Sequence, residues 1–175
     1  MPKELSSKVS DKIKERQIAK GLRVCWPGRE CKAVYFVESG ALRCYYPVGK
    51  KEFGSRIFTE GMLCTVVGSF FRREQTNETI QAIEDSVLQY IDAKDWEQLN
   101  ADPEFRMTSG LVLQHLYMDL ERRRRWELSF SAEDRYRWLQ EYNPKLLLRF
   151  PLKQIAAHLG ISAVMLSRIR RKQIS

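Results

Sequence analysis

The sequence contains little histidine and no long apolar run, and both absences narrow its function. Only His115 and His158 can supply an imidazole, and neither has a second histidine at ligand spacing, which disfavours a zinc hydrolase and predicts no metal site. No segment approaches the roughly 18 apolar residues that a membrane-spanning helix needs. The N-terminal segment MPKELSSKVSDKIKER has no apolar stretch typical of a secretory signal. We therefore expect a cytoplasmic protein without a membrane partner.

The motifs that mark an enzyme are also missing. There are no paired carboxylates beside a glycine-lined cleft, no nucleophile motif and no histidine constellation, so we expect no enzymatic activity and no cofactor. Four cysteines form no CxxC pair and stand in apolar surroundings: Cys25, Cys31, Cys44 and Cys64. We expect buried thiols. Iron–sulfur ligation or redox sensing is the alternative, because Cys25 and Cys31 could be neighbours across a turn.

Positive charge is concentrated in the last third of the chain. Residues 1–120 contain 17 Lys and Arg against 17 Asp and Glu, whereas residues 121–175 contain 13 against 5. The C-terminal excess of eight therefore equals the whole net charge of +8. Such asymmetry indicates a C-terminal unit that faces a polyanion, and nucleic acid is the first candidate.

Glycine, in contrast to positive charge, is concentrated in the first half of the chain. Seven of the nine glycines lie between residues 21 and 68, between short runs such as AVYFV and LRCYY that are rich in β-formers. Short strands separated by glycine-bearing turns predict a small antiparallel barrel or sandwich. Within it, Ser39-Gly40 is expected to form a tight turn.

A long helix is predicted over residues 103–129. Pro103 fits the first turn behind Asp102, and apolar residues recur at three- and four-residue spacing. About 25 residues span nearly 40 Å at about 1.5 Å per residue, more than a small barrel can cover. The helix either belongs to the core or also pairs with its copy in a homodimer, and we predict the dimer. The expected dimer contacts are Val112, Leu113, Leu116 and Leu120.

The segment that follows has the pattern of a separate unit. SAED, residues 131–134, has the form of a capping box in which Ser131 accepts the backbone N–H of Asp134. A boundary near residues 129–131 divides the chain into a β domain (1–102), the long helix (103–129) and a C-terminal domain (130–175).

The C-terminal domain ends in LKQIAAHLGISAVMLSRIRR, which fits a helix-turn-helix. Ile155, Leu159, Leu166 and Ile169 are spaced to pack two helices, Gly160 supplies a positive φ for the turn, and Ser162 caps the second helix. An ordinary helical hairpin would explain this packing but not the basic excess.

The outward face of the second helix is then the predicted DNA-reading surface. Arg168 is expected to read guanine, whereas Ala163 and Val164 can only touch thymine methyl groups or leave the groove edge unread. Hydroxyl and basic side chains are expected to meet phosphates. The predicted DNA-binding residues are Lys153, Ser162, Ala163, Val164, Ser167, Arg168, Arg170, Arg171 and Lys172.

Five segments of the sequence together resemble the Crp/Fnr superfamily of bacterial transcription regulators. They are YFVESGALRCYY, TEGM, NETIQAIEDSVLQYI, SAEDRYRWLQEYNP and FPLKQIAAHLGISAVMLSRIRRK, the last two being especially similar to a variant common in Bacteroidetes. The resemblance implies an α+β fold with an N-terminal antiparallel β-roll of the cyclic-nucleotide-binding type, a long dimerisation helix and a C-terminal helix-turn-helix. It also implies a homodimer on near-palindromic double-stranded DNA, with RNA polymerase as a candidate protein partner.

The resemblance further implies where an effector would bind. The family's cassette uses a Gly-Glu pair for the ribose and an Arg-Ser pair for the phosphate, and this chain has Gly61-Met62 and, by counting, Thr76-Asn77 at those positions. Cyclic AMP is therefore disfavoured, although Arg72 and Arg73 could substitute as cations. The predicted effector pocket comprises Gly61, Met62, Arg72, Arg73, Thr76 and Asn77.

These observations predict a dimeric, sequence-specific DNA-binding transcription regulator. Two alternatives stay open. The first is a regulator that binds a cyclic nucleotide through a divergent cassette. The second is a non-enzymatic interaction module that its basic C-terminus tethers to DNA.

Overall fold

Ten short strands occupy the first half of the chain in the computed structural model, which describes residues 3–49 and 51–174. Residues 1 and 175, the outer limits of the predicted domains, lie outside these ranges. The strands are β1 (Lys14–Ile18), β2 (Arg23–Cys25), β3 (Arg29–Glu30), β4 (Ala33–Ser39), β5 (Leu42–Val48), β6 (Lys51–Phe58), β7 (Leu63–Cys64), β8 (Gln75–Thr76), β9 (Thr79–Ala82) and β10 (Ser86–Asp92). The helices are α1 (Lys3–Ser10), α2 (Val67–Arg72), α3 (Ala93–Asn100), α4 (Pro103–Ser129), α5 (Ala132–Tyr142), α6 (Pro144–Arg149), α7 (Leu152–His158) and α8 (Ala163–Ile174).

The strands form an antiparallel β-roll, as predicted. One four-stranded sheet has the order β1-β10-β4-β7, a second has the order β2-β9-β5-β6, and β3 pairs with β8. The apolar core between the sheets includes Val37, Leu42, Ile80 and Leu88. All four cysteines are buried there as free thiols. Within the described residues, no group of three or more His, Cys, Asp or Glu side chains could hold a metal ion.

The predicted tight turn at Ser39-Gly40 is present, and it connects two sheets. It joins β4 to β5, which belong to different sheets, and β5 pairs instead with β6 and β9. Gly40 has a φ of 89°, and a Cβ there would lie 2.3 Å from the Ser86 hydroxyl oxygen. The turn therefore needs glycine because the chain passes against β10 as it crosses between the sheets.

The long helix α4 begins at Pro103 and ends at Ser129, as the sequence predicts. The Asp102 side chain caps it by accepting the backbone N–H of Glu104 at 2.9 Å. Its first turns pack through Phe105 against Leu99 of α3. Within the described ranges, no helix is long and apolar enough to cross a membrane.

Helices α5–α8 form a second core that continues onto the β-roll. The capping box is present, since the Ser131 hydroxyl accepts the Asp134 N–H at 3.2 Å and donates to its carboxylate at 2.6 Å. Leu139, Ile155 and Leu166 are completely or almost completely buried. Ala41, Ile57 and Ile83 of the β-roll belong to the same apolar cluster. The C-terminal helices thus pack directly on the β-roll.

Polar contacts add to this interface. Arg149 of α6 donates two hydrogen bonds to the Glu60 carboxylate, at 2.8 and 2.7 Å, and also pairs with Glu84. Arg149 lowers the pKa of Glu60 to about 2. Glu60 in turn accepts the backbone N–H of Gly40 at 2.9 Å. One carboxylate therefore connects the inter-sheet turn to the C-terminal helices.

Candidate DNA-reading face and effector cavity

The helix-turn-helix has the predicted local geometry. Helices α7 and α8 are joined through Gly160, whose φ is 70°. The Ser162 hydroxyl accepts the backbone N–H of Met165 at 3.1 Å and so caps α8. Leu166 and Ile169 of α8 are buried against α7. These contacts fix which face of α8 remains on the surface.

That surface is basic and uncovered. Val164 is 62% exposed, and Arg168 and Arg171 are exposed on the same side of the helix. Helix α8 contains four cationic side chains and no acidic residue in its sequence AVMLSRIRRKQI. The arrangement can present positive charge and short apolar groups to a polyanion.

The remaining predicted DNA-binding residues fall into different environments. Ala163 is partly buried against the helical core. Arg170 lies over the Tyr136 ring, 5.6 Å from its centroid, and Lys172 donates to the Glu133 carboxylate at 3.0 Å. Ser167 is half-buried on α8, and Lys153 is exposed on α7. The most outward of the predicted base-reading positions are therefore those of Val164 and Arg168.

Met165 is an outward residue that the sequence analysis missed. It is 46% exposed, beside the buried Leu166. It stands one residue before the buried Leu166, which turns it to the edge of the exposed face. The spacing of the core residues Leu166 and Ile169 could have identified Met165 as a surface position from the sequence.

A large cavity lies between the β-roll and α4. Its volume is about 1110 Å³. The roll contributes Phe36, Arg56 and Leu63 to its wall, and α4 contributes Val112 and Leu116. Its size is in the range of cavities that bind small molecules.

None of the six predicted effector residues is among those lining this cavity. Gly61 and Met62 form a turn in which the Met62 sulfur accepts the Thr59 N–H at 3.4 Å, and Met62 packs on the core of the roll. Arg72 pairs with Glu74 at 3.3 Å on the surface.

The other three predicted effector residues are also separated from the cavity. Arg73 donates to Glu97 at 2.7 Å. The Thr76 hydroxyl accepts the Glu78 N–H at 3.0 Å, and Asn77 is exposed. The cavity beside α4 is therefore lined by residues other than this set.

Polar residues that sequence reasoning missed line the cavity instead. Arg56 on β6 lies directly opposite Cys44 on β5, and the Cys44 thiol donates to the Glu78 carboxylate at 3.2 Å. Arg123 of α4 donates from Nε to the Glu127 carboxylate at 2.9 Å. The sequence alone does not show on which face of β6 the Arg56 side chain lies, whereas the pairing of β6 with β5 does.

His158 connects this region to the helix-turn-helix. Its Nδ1 accepts the backbone N–H of Ile57 at 3.2 Å, and its carbonyl oxygen accepts from Arg123 Nη2 at 2.8 Å. Burial, reinforced by the positive charges of Arg123 and Arg56, lowers the pKa of His158 to about 3. The imidazole is therefore neutral at physiological pH, with its proton on Nε2.

The predicted dimer residues lie on the side of α4 that faces the cavity. Val112, Leu113, Leu116 and Leu120 all line it. Other apolar side chains of α4, outside the cavity wall, are also exposed: Met107 is 65%, Leu111 61% and Met118 50% exposed. The uncovered apolar surface of α4 is therefore broader than the four predicted residues.

Comparisons with known proteins agree with this architecture. The family model of the cyclic nucleotide-binding domain matches residues 15–102, about half of the chain. No curated protein sequence matches the chain.

Several solved structures share the whole arrangement of elements. The cyclic di-GMP-responsive global regulator CLP of Xanthomonas campestris is 18% identical with a TM-score of 0.75, covering 98% of this chain and 91% of its own. A protein described as a Crp/Fnr-family transcriptional regulator from Eubacterium rectale is 19% identical with a TM-score of 0.75, covering 99% and 84%. A CooA mutant from Carboxydothermus hydrogenoformans is 22% identical with a TM-score of 0.70, covering 94% and 77%. The β-roll, α4 and the helix-turn-helix thus have the Crp/Fnr fold, and the chain belongs to the cyclic nucleotide-binding domain family.

Proposed function

We propose that the protein is a homodimeric, sequence-specific DNA-binding transcription regulator of the cytoplasm. The observation that carries the proposal is the exposed, wholly basic-charged outer face of α8 in a complete helix-turn-helix. A helix that docks in the major groove needs such a face. The Crp/Fnr fold of the chain supports assigning this role to α8. The proposed activity is binding and regulation, without catalysis.

Within this proposal, the DNA contacts are divided between two classes of side chain. Arg168 reads a base edge, because it is exposed in the middle of α8 and its guanidinium can form two hydrogen bonds to guanine. Val164 contacts a thymine methyl group. Lys153, Ser162 and Arg171 contact phosphates and position the helix without specifying the sequence.

The dimer is proposed to form along α4. An exposed apolar surface of this extent on a monomer marks an interaction site, and a helix of about 40 Å is long enough to hold two readers one DNA turn apart. Met107, Leu111 and Met118 extend the predicted set Val112, Leu113, Leu116 and Leu120. RNA polymerase is the proposed partner once the dimer is on DNA.

The β-roll is proposed to act as a sensor without the usual cyclic-AMP cassette. Met62 stands where the resemblance places the ribose-binding glutamate, and Thr76 where it places the phosphate-binding arginine. The cavity beside α4 favours a ligand-responsive regulator over a module that is merely tethered to DNA, because it opens between the sensor and the helix that carries the readers.

Selection from random duplex DNA tests the proposal. The full chain is expected to enrich a near-palindrome with half-sites about one helical turn apart, and titrations at several salt concentrations give its affinity and salt slope. Bulk binding without any enriched sequence would refute sequence-specific regulation and favour the tethered module.

A further inference from the structure

Two thiols contact each other in the core of the β-roll. The Cys25 thiol on β2 donates a hydrogen bond to the sulfur of Cys31, which directly follows β3. Both belong to the same apolar cluster, each is only 1% exposed, and both are free thiols. Between them the chain turns at Gly28, whose φ is 75°. The fold therefore holds two oxidisable sulfur atoms side by side.

The surroundings of Cys31 favour its thiolate, whereas those of Cys25 do not. The hydrogen bond from Cys25 lowers the pKa of Cys31 to about 6 against the opposing effect of burial, and the backbone of Val66 and the Thr65 hydroxyl act in the same direction. The same hydrogen bond, together with burial, raises the pKa of Cys25. Because the thiolate is the nucleophile in thiol chemistry, Cys31 is the reactive member of the pair.

A small reagent can approach Cys31 from the cavity beside α4. Thr65 lines that cavity, and its hydroxyl oxygen lies 3.5 Å from the Cys31 sulfur. The thiolate therefore lies directly behind one side chain of the cavity wall. A small, uncharged oxidant such as hydrogen peroxide needs only a local displacement of Thr65 to reach the sulfur.

The other two cysteines of the core are less suited to oxidation. Cys44 lines the cavity itself, but its thiol donates to the Glu78 carboxylate at 3.2 Å, and burial raises its pKa. Cys64 is completely buried, and burial raises its pKa as well. The reactive thiol is therefore expected to be Cys31, although Cys44 is closer to the cavity.

We propose that Cys25 and Cys31 form a thiol pair that a peroxide oxidises to an intramolecular disulfide. The Cys31 thiolate attacks one oxygen of hydrogen peroxide, an S–O bond forms and the O–O bond breaks. The departing hydroxide takes up the proton that Cys31 released, which gives water and a sulfenic acid. The Cys25 sulfur then attacks the Cys31 sulfur, the S–S bond forms and the S–O bond breaks, and the second hydroxide leaves as water with the proton of Cys25. Two thiols and one peroxide thus give one disulfide and two water molecules. This modification site goes beyond the proposed function and does not depend on DNA binding.

Peptide mapping of the full chain after treatment with hydrogen peroxide tests the proposal. Free thiols are first blocked with iodoacetamide in denaturant, and trypsin then cuts after Arg23, Arg29 and Lys32. The expected disulfide joins the peptide of residues 24–29 to that of residues 30–32. Before digestion, the intact chain should have lost the mass of two hydrogen atoms, and dithiothreitol should restore it.

Substitutions separate the roles of the two thiols. Cys25→Ser should still react at Cys31, but the sulfenic acid should persist and be trapped by dimedone. Cys31→Ser should slow the consumption of peroxide about 10-fold or more, because the remaining thiols have raised pKa values and supply little thiolate. Cys44→Ser, which removes a thiol of the cavity wall, is the matched control and should form the disulfide like the native chain. Thermal unfolding checks that each variant is folded.

The map of the native chain decides the proposal even where a variant fails to fold. A disulfide between Cys25 and Cys31 that dithiothreitol reverses supports it. Oxidation of Cys44 before Cys31, a disulfide to Cys64, or four unchanged thiols at a peroxide concentration that oxidises free cysteine would overturn it. If the disulfide forms but no duplex is enriched in the DNA selection, the proposed function fails and the thiol pair stands. An enriched duplex without the disulfide has the opposite meaning.

Discussion

Lowering the pH from 7 to 5 should destabilise the protein through His158. In the folded chain its Nδ1 accepts the Ile57 N–H, and burial beside Arg123 and Arg56 lowers its pKa from 6.5 to about 3. The unfolded chain binds a proton at this residue below about pH 6.5, whereas the folded chain does not until about pH 3. The free energy of unfolding therefore falls as the pH decreases through this window.

The size of the loss follows from the two pKa values. Proton binding to the unfolded chain alone, integrated from pH 7 to pH 5, costs the folded state up to about 2 kcal/mol. Glu60 has its pKa lowered to about 2, so its stabilising contribution is lost below about pH 4.5. The pKa values of Asp92, Asp95 and Asp102 are also lowered by their lysine partners, and their contributions are lost in the same acidic range. The interval between pH 7 and 5 therefore lies above the range in which these carboxylate contributions are lost.

Urea unfolding at pH 7, 6 and 5, at one fixed protein concentration, measures this loss. His158→Asn keeps an acceptor near Nδ1 but cannot take up the proton, so its stability should fall by about 2 kcal/mol less over the interval. His115→Gln is the matched control, because the His115 side chain is 70% exposed on α4. If the native chain and His158→Asn lose the same stability between pH 7 and 5, His158 is not a neutral buried acceptor and the argument is refuted.

Four further substitutions test the proposed DNA-reading helix, the proposed dimer and the β-roll. In anisotropy titrations, Arg168→Ala should cost about 1–3 kcal/mol of binding free energy on the selected duplex and relax sequence specificity at one base pair. Arg171→Ala should weaken binding to all duplexes alike and lower the salt slope by about one. Equal losses of affinity for both variants on selected and random DNA would contradict this division. Met118→Glu should shift sedimentation equilibrium toward the monomer, because it buries a carboxylate in an apolar helix pair, and an unchanged dimer would exclude this face. Gly40→Ala should destabilise the chain by about 1–3 kcal/mol or more in urea, because its Cβ would meet Ser86 at 2.3 Å, and native stability would refute that contact.

The helix-turn-helix was predictable because its constraints are local. Ile155, Leu166 and Gly160 lie within one short stretch, so the spacing of apolar residues and one turn glycine determine both helices and their contact. The limits of α4 were predictable for the same reason, since Asp102 and Pro103 mark its beginning within the chain itself.

Strand pairing in the β-roll could not be predicted from local sequence patterns. Ser39-Gly40 marks the turn correctly, but which strand pairs with which depends on contacts between distant segments. The position of the cavity depends even more on contacts between distant segments, because its wall combines residues of β4, β6, β7 and α4. Counting along the sequence led to residues 61–62 and 76–77, whereas the orientation of Arg56 follows from its pairing with Cys44.

Strand β6 places Arg56 and Ile57 at consecutive positions with their side chains on opposite faces, one toward the cavity and the other among the helices that carry the reader. One peptide unit therefore separates the wall of the cavity from the surface on which the helix-turn-helix packs. Any substitution that reshapes one face of β6 moves the backbone that supports the other. Under the proposed function, ligand choice and DNA affinity are linked traits, because a change on the cavity face of β6 also shifts the Ile57 N–H that His158 accepts.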